Sequence, residues 1–191
     1  MKIGIIPKII ETHKNQFEAS IELKLISFIN KVFINCSTET LISVKKSNFD
    51  ILIISGGNDL PVAINDRKNQ IRNNLNNYYY NYAKKNNIPV IAICLGALFI
   101  AKKMRCKIIK KNHVGSHSIY YNKKKILVNS FHNYIIDKFN SRIVPIAFAE
   151  DGSLECFKVA KNKIIGIMWH PERNKNIKKF DIEILKKYIC N

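Results

Sequence analysis

Pro89-Val-Ile-Ala-Ile-Cys-Leu-Gly-Ala-Leu-Phe-Ile-Ala101 decides the fold. Up to Ile93 it is a short apolar run rich in branched residues, the composition of a strand buried on both faces. From Leu95 to Met104 the chain consists of good helix formers that pass from apolar to basic. A strand running straight into a helix needs a very tight turn, and only small residues fit where the two elements cross. Ala92 and Gly96, each two positions from Cys94, meet that need. Cys94 is therefore expected on a nucleophile elbow, a thiol standing where the hydrolase motif has a hydroxyl. Unpaired amides and the dipole of the helix N-terminus favour negative charge there. Taken alone, a cysteine in such a run is a small buried hydrophobe, and the run is well short of the ~18 residues of a membrane span. The rest of the chain alters the balance.

On the N-terminal side, Lys2 to Ile6 reads as a first strand ended by Pro7. Phe17, Ile21, Leu25, Phe28 and Val32 fall at helical spacing, a core-facing stripe. Val32 to Asn35 and Leu41 to Val44 are short strand candidates, and Phe49 to Ile54 is a buried strand running into Ser55-Gly-Gly-Asn-Asp59. Asn69 to Asn87 predicts an amphipathic helix with Ile71, Leu75, Tyr78, Tyr79 and Tyr82 on one side, a packing face rather than a base-stacking platform. This order predicts an α/β fold, a mostly parallel central sheet with helices on both faces.

Beyond Met104 the texture changes to short runs with turn residues between them: 106–109, 118–121, 125–128 and 142–148. Residues 154–160 and 163–169 then read as two strands joined at Lys161-Asn162. These predict additional short antiparallel strands in the C-terminal half. A closing helix over Ile177 to Ile189 turns Phe180, Ile184, Leu185 and Tyr188 inward.

A chain of 191 residues is expected to form a single domain over 1–191. Five widely spaced cysteines without a C-x-x-C pair argue against a disulfide framework and a zinc site, and a reducing cytoplasm is the expected compartment. No stretch resembles a signal peptide or membrane span. The formal charge of +18 invites a nucleic-acid reading. The lysines, however, are scattered over expected turns and exposed faces in a composition heavy in Ile and Asn, which favours solvated faces. A basic field would still attract an anionic small substrate.

Two further stretches join the elbow. Ser55-Gly56-Gly57 lies past the end of a buried strand, the edge at which open α/β sheets bind ligands, and paired glycines let amides turn toward a ligand. In Trp169-His-Pro-Glu172, Pro171 pushes His170 toward an extended conformation. Residues two apart on an extended chain project to one side, so Glu172 can orient the His170 imidazole and the imidazole can address the thiol.

With these motifs the sequence resembles the class I glutamine amidotransferase-like superfamily, and within it the stand-alone γ-glutamyl hydrolases. The resemblance runs through residues 53–59, Ile93-Cys-Leu-Gly96, Asn112-His-Val-Gly115, Val128-Asn-Ser-Phe-His-Asn133, Glu150-Asp-Gly-Ser153 and Gly166-Ile-Met-Trp-His-Pro-Glu-Arg173. The N-S-F-H-N and I-M-W-H-P-E-R wordings look closest to hydrolases that release cytidine diphosphoramidate from its γ-glutamyl conjugate in surface-polysaccharide modification. The resemblance implies a flavodoxin-like fold, with Cys94 as nucleophile, His170 as general base and acid, and Glu172 as its orienter. It also implies an oxyanion hole of the Gly57 and Leu95 amides, and Asn129, Ser130, Phe131 and His132 against the glutamyl α-amino and α-carboxylate groups. No cofactor or metal is implied. A glutaminase subunit feeding ammonia to a separate synthase and a non-catalytic binding module on the same fold remain alternatives; the oligomeric state is open. Leu98 occupies a position where the family usually has glutamine, removing a hydrogen-bonding side chain from the substrate's amino-acid end.

Overall fold

In the computed structural model, which describes residues 1–58 and 66–189, the chain opens with strand β1 (Lys2–Ile6). A hairpin of β2 (Lys8–His13) and β3 (Gln16–Ser20), helix α1 (Leu23–Val32) and strands β4 (Ser37–Thr40) and β5 (Ile51–Ile54) come next. Helix α2 (Arg67–Lys85), β6 (Val90–Ile93) and α3 (Leu95–Lys103) follow. The second half comprises β7 (Lys107–Lys110), β8 (Gly115–Tyr121), β9 (Lys124–Ser130), β10 (Tyr134–Lys138), β11 (Ile143–Ala149), β12 (Leu154–Val159) and β13 (Ile164–Ile167). A 3-10 turn over Pro171–Arg173 and α4 (Lys179–Ile189) complete it. Asp59, which ends the diglycine stretch, and Cys190, one of the five cysteines, lie outside the described residues.

All strands except the β2–β3 hairpin join one sheet in the order β4-β1-β5-β6-β13-β12-β11-β8-β9, with β10 on β12 and β7 on β10. The ladders from β4 to β13 are parallel, and those beyond β13 are antiparallel. This is the expected α/β architecture, a parallel sheet with helices on both faces and antiparallel strands added from the C-terminal half. Leu75 and Tyr79 of α2 and Ile100 of α3 pack with Leu52, Ile54 and Val90. Leu25 and Phe28 of α1 and Ile184 and Leu185 of α4 pack with Ile3, Ile53, Ile91 and Ile165 on the other face. Alternate residues of one strand thus feed opposite cores, which is why the central strands are apolar throughout. Each such buried side chain contributes about 1.5–3 kcal/mol on leaving water.

Several expected elements differ. The helical stripe begins only at Leu25: Phe17 lies in β3 and Ile21 ahead of α1. Lys14-Asn15 closes a two-residue turn, with Asn15 at φ 63° and His13 opposite Gln16. Asparagine tolerates that left-handed conformation, so a local turn overrides helical spacing. Val32 to Asn35 is not a strand, since Val32 ends α1 and Asn35 turns at φ 58°. Leu41 to Val44 is not one either. The pairing with β1 is made by the polar Ser37–Thr40, an edge strand with one neighbour that needs no apolar run. Strand β10 was not expected; its apolar run, Tyr134-Ile-Ile136, is too brief to stand out in the sequence.

Candidate active site

Strands β5, β6 and β13 are neighbours and parallel, so their C-terminal ends open onto one sheet edge. Those ends carry Ser55-Gly56-Gly57, Cys94 and His170. Cys94 adopts φ 50° and ψ −103° between β6 and α3, a sparsely populated conformation that costs roughly 1–3 kcal/mol and persists because its surroundings impose it. Its amide donates to the Ile167 carbonyl at 2.7 Å, and its carbonyl accepts from the Leu98 amide at 3.0 Å. A β-carbon on Gly96 would lie 2.3 Å from the Ile54 carbonyl oxygen, so the helix can cross β5 only if position 96 has no side chain. The Leu95 amide, in the first turn of α3, has no intrahelical acceptor. Gly57 sits past β5 at φ +79°.

His170 Nδ1 and Glu172 Oε1 are 2.6 Å apart, and both side chains are buried. A carboxylate oxygen there can only accept, so Nδ1 carries the proton and Nε2 is left for the thiol. Burial alone would push the imidazole pKa down; hydrogen bonding and charge from Cys94 and Glu172 outweigh it and raise it to about 9. The route to this contact differs from the expected extended strand. His170 is at φ −110° and ψ 86°, and Glu172 sits in the 3-10 turn that Pro171 opens. Proline at the first position of a turn loses no hydrogen bond there, and the turn swings Glu172 back beneath the ring.

The segment is braced from three sides. Asn129 grips the His170 peptide at both ends: its Nδ2 donates to the His170 carbonyl at 2.8 Å, and its Oδ1 accepts from the His170 amide at 2.9 Å. The Trp169 indole donates to Asp181 of α4 at 2.9 Å. Gly56 abuts the imidazole so closely that a β-carbon there would lie 2.5 Å from Cε1. Beneath it, the fully buried Arg72 of α2 donates to the carbonyls of Pro7 and Ser55, tying the ends of β1 and β5 together. Burial lowers its guanidinium pKa to about 9, so it stays charged at neutral pH. Asn129's clamp, Arg72 and Asp181 escaped the sequence reading. The available signal was a single charged residue on the inward face of each helix.

The structure brings Cys94, His170 and Glu172 together, with Gly57 and Leu95 at the same edge. Of the four residues expected against the substrate's amino-acid end, three have other engagements. Asn129 is engaged with His170, Ser130 is fully buried, and His132 is buried in a separate cluster. Only Phe131 is exposed, its ring edge-on to His170 at 5.5 Å and under the Arg173 guanidinium at 4.6 Å. Leu98 is a core residue, packed with Leu52 and Ile54.

The separate cluster was also missed. His113, His117 and His132 surround Glu155 of β12, which is wholly buried. Its only sequence signal is that three of the five histidines fall within 113–132. No described helix is long and apolar enough to cross a membrane.

A family model described as glutamine amidotransferase class-I matches residues 13–189. The chain is 34% identical over 153 residues to the γ-glutamyl-CDP-amidate hydrolase of Campylobacter jejuni, covering 80% of this chain and 76% of that one. It is 29% identical over 136 residues to a subunit of the glutamine-hydrolysing GMP synthase of Picrophilus torridus, covering 65% and 68%. A crystal structure of a glutamine amidotransferase from Thermotoga maritima superposes with a TM-score of 0.69 at 18% identity, covering 97% of this chain and 82% of that one.

Proposed function

From a chain that belongs to the class-I glutamine amidotransferase family, we propose a cysteine hydrolase that cleaves a γ-glutamyl amide and releases glutamate. The observation that carries this reading is the Cys94 thiol on its elbow, facing an imidazole that Glu172 holds at 2.6 Å. In the first half-reaction the Cys94 sulfur attacks the γ-carbonyl carbon, and the Gly57 and Leu95 amides receive the developing oxyanion. His170 delivers a proton to the departing nitrogen, the C–N bond breaks, and a γ-glutamyl thioester remains. Water, losing its proton to His170, attacks that thioester; glutamate leaves and the thiol is restored.

The amine side of the substrate is proposed to be anionic, a nucleotide-linked amidate being the leading case. Similarity to a hydrolase named for that substrate supports it, as does the charge of +18. With Leu98 in the core and Asn129 engaged, recognition of the glutamyl end falls to backbone groups and to Phe131 and Arg173 at the rim. Similarity to a GMP synthase component supports a second reading, in which glutamine is hydrolysed and its ammonia passed to a separate synthase.

A panel of γ-glutamyl amides, including γ-glutamyl nucleotide amidates and glutamine, offered to wild type and to Cys94→Ala tests this. Glutamate release from an amidate by the wild type alone is expected. Equal rates from both proteins would remove the catalytic reading and leave a binding module. Turnover of glutamine only in the presence of a second protein would favour the ammonia donor.

A further inference from the structure

The buried Glu155 cluster has spacings that hydrogen bonding does not explain. Nδ1 of His113 is 3.5 Å and Nε2 of His132 is 3.7 Å from the same carboxylate oxygen, Oε1; Nε2 of His117 is 3.4 Å from Oε2. All five atoms are buried, with no hydrogen-bond partner among the described residues. An imidazolium that donates to a carboxylate closes to roughly 2.7–2.9 Å, and His170 does so on Glu172 at 2.6 Å.

The opposite nitrogens of two of these rings decide what faces Glu155. His132 Nδ1 lies 2.9 Å from the Tyr134 carbonyl, which can only accept, so Nδ1 carries a proton and Nε2 offers a lone pair. His113 Nε2 lies 2.8 Å from Asp151 Oδ2, which likewise leaves Nδ1 as the lone-pair nitrogen. Asp151 is itself fixed by Lys111 and by the Ser153 hydroxyl and amide. A carbonyl and a carboxylate behind the rings are the outer partners that orient metal-binding histidines. Two lone pairs aimed at a buried carboxylate repel it unless a cation stands between them.

We propose that His113 Nδ1, His132 Nε2 and Glu155 form a binding site for one zinc ion, with water or His117 at the fourth position. The three ligand atoms lie within 4.8 Å of one another. Ligands about 2.0–2.2 Å from a tetrahedral ion are roughly 3.3–3.6 Å apart, close to the two separations seen, whereas octahedral edges would be nearer roughly 3 Å. The donor set of two imidazoles and a carboxylate suits zinc. The ion would join the approaches to β8 and β10 to β12. It would also pin His132, three residues beyond the Asn129 that grips His170. Its role is to hold that segment, and the site stands independently of the amide-hydrolysis reading.

Metal analysis of chelator-treated protein reloaded with zinc, followed by competition with a chromophoric chelator, tests the site without any activity assay. One zinc per chain is expected in wild type and equally in Cys94→Ala. Cobalt substitution should give tetrahedral d–d bands without a thiolate charge-transfer band, which excludes the cysteines as ligands. His113→Asn, at a partly exposed ring, and Glu155→Gln should lose stoichiometric binding, and Asp151→Asn should weaken it roughly 10- to 100-fold. Wild type that takes up no zinc overturns the proposal, leaving a cluster held by protons. So does zinc retained by both His113→Asn and Glu155→Gln, or a cobalt spectrum with sulfur ligation.

Discussion

Two assemblies of histidine and carboxylate meet in the stretch 129–132, where Asn129 and Phe131 touch His170 while His132 belongs to the Glu155 cluster. In the first, one acid and one imidazole are in contact at 2.6 Å, and the ring's proton affinity rises. In the second, one acid is ringed by three imidazoles at 3.4–3.7 Å. The same side-chain types make a direct hydrogen bond where the gap is closed and leave unpartnered, buried polar atoms where it is open. Separation and the tautomers fixed from behind, rather than residue identity, distinguish the two.

The most severe test of the contrast is Cys94→Ala. It should lower the turnover number by about 10^5-fold or more, since a lost nucleophile has no substitute, while leaving the folded chain and its metal content unchanged. Glutamate release and unfolding midpoints on the same samples would check both halves. Parallel losses of activity and metal would mean that the two assemblies are one.

Glu172→Gln comes next. A glutamine can no longer hold the imidazole in its charged form, and turnover should fall roughly 10^3–10^4-fold. The pH profile carries the sharper information. With the His170 pKa raised to about 9, the imidazolium that protonates the leaving nitrogen is lost as pH rises through about 9, so the wild-type alkaline limb should lie there and the variant's should move to lower pH. An unmoved limb would show that Glu172 does not set the histidine's proton affinity.

How much of this was legible in the sequence follows from how local each feature is. The elbow needs Ala92, Cys94 and Gly96 within five residues, and the His170–Glu172 pair spans three; both could be read directly. Phe17 and Ile21 misled because period-3.6 spacing was matched by chance across a hairpin whose turn depends on the φ of Asn15. The Glu155 cluster was illegible for a different reason. His113 and His132 meet only because their backbones pair, the His113 amide donating to the His132 carbonyl, and Glu155 arrives from β12, well beyond both in sequence. The clamping role of Asn129 was hidden likewise, because its partner lies 41 residues away.

Asn129→Ala addresses the shared segment. It removes both bonds to the His170 peptide and frees the ring to drift from the thiol. A misplacement of about 1 Å costs on the order of 10^2-fold, so kcat should fall by about that much with KM little changed. A rise in KM at constant kcat would instead make Asn129 a substrate contact. Metal binding, which does not use this amide, should persist.

The smallest effect concerns a third buried acid. Asp181 is almost wholly buried. Among the described residues its side chain is bonded to the neutral Trp169 indole and the Asn174 amide, and burial, outweighing these bonds and the Lys178 charge, raises its pKa from 3.8 to about 6. The folded chain therefore holds this proton more tightly than the unfolded chain does. The stability it brings is complete below about 3.8 and lost as pH rises through about 6. Asp181→Asn keeps an acceptor for Trp169 and removes the charge. Its stability should match wild type near pH 4 and exceed it by about 2–3 kcal/mol at pH 8, measured by urea unfolding at both values. A difference that does not grow with pH would mean that Asp181 is ionised at no cost, and that something other than burial governs the acids behind the active segment.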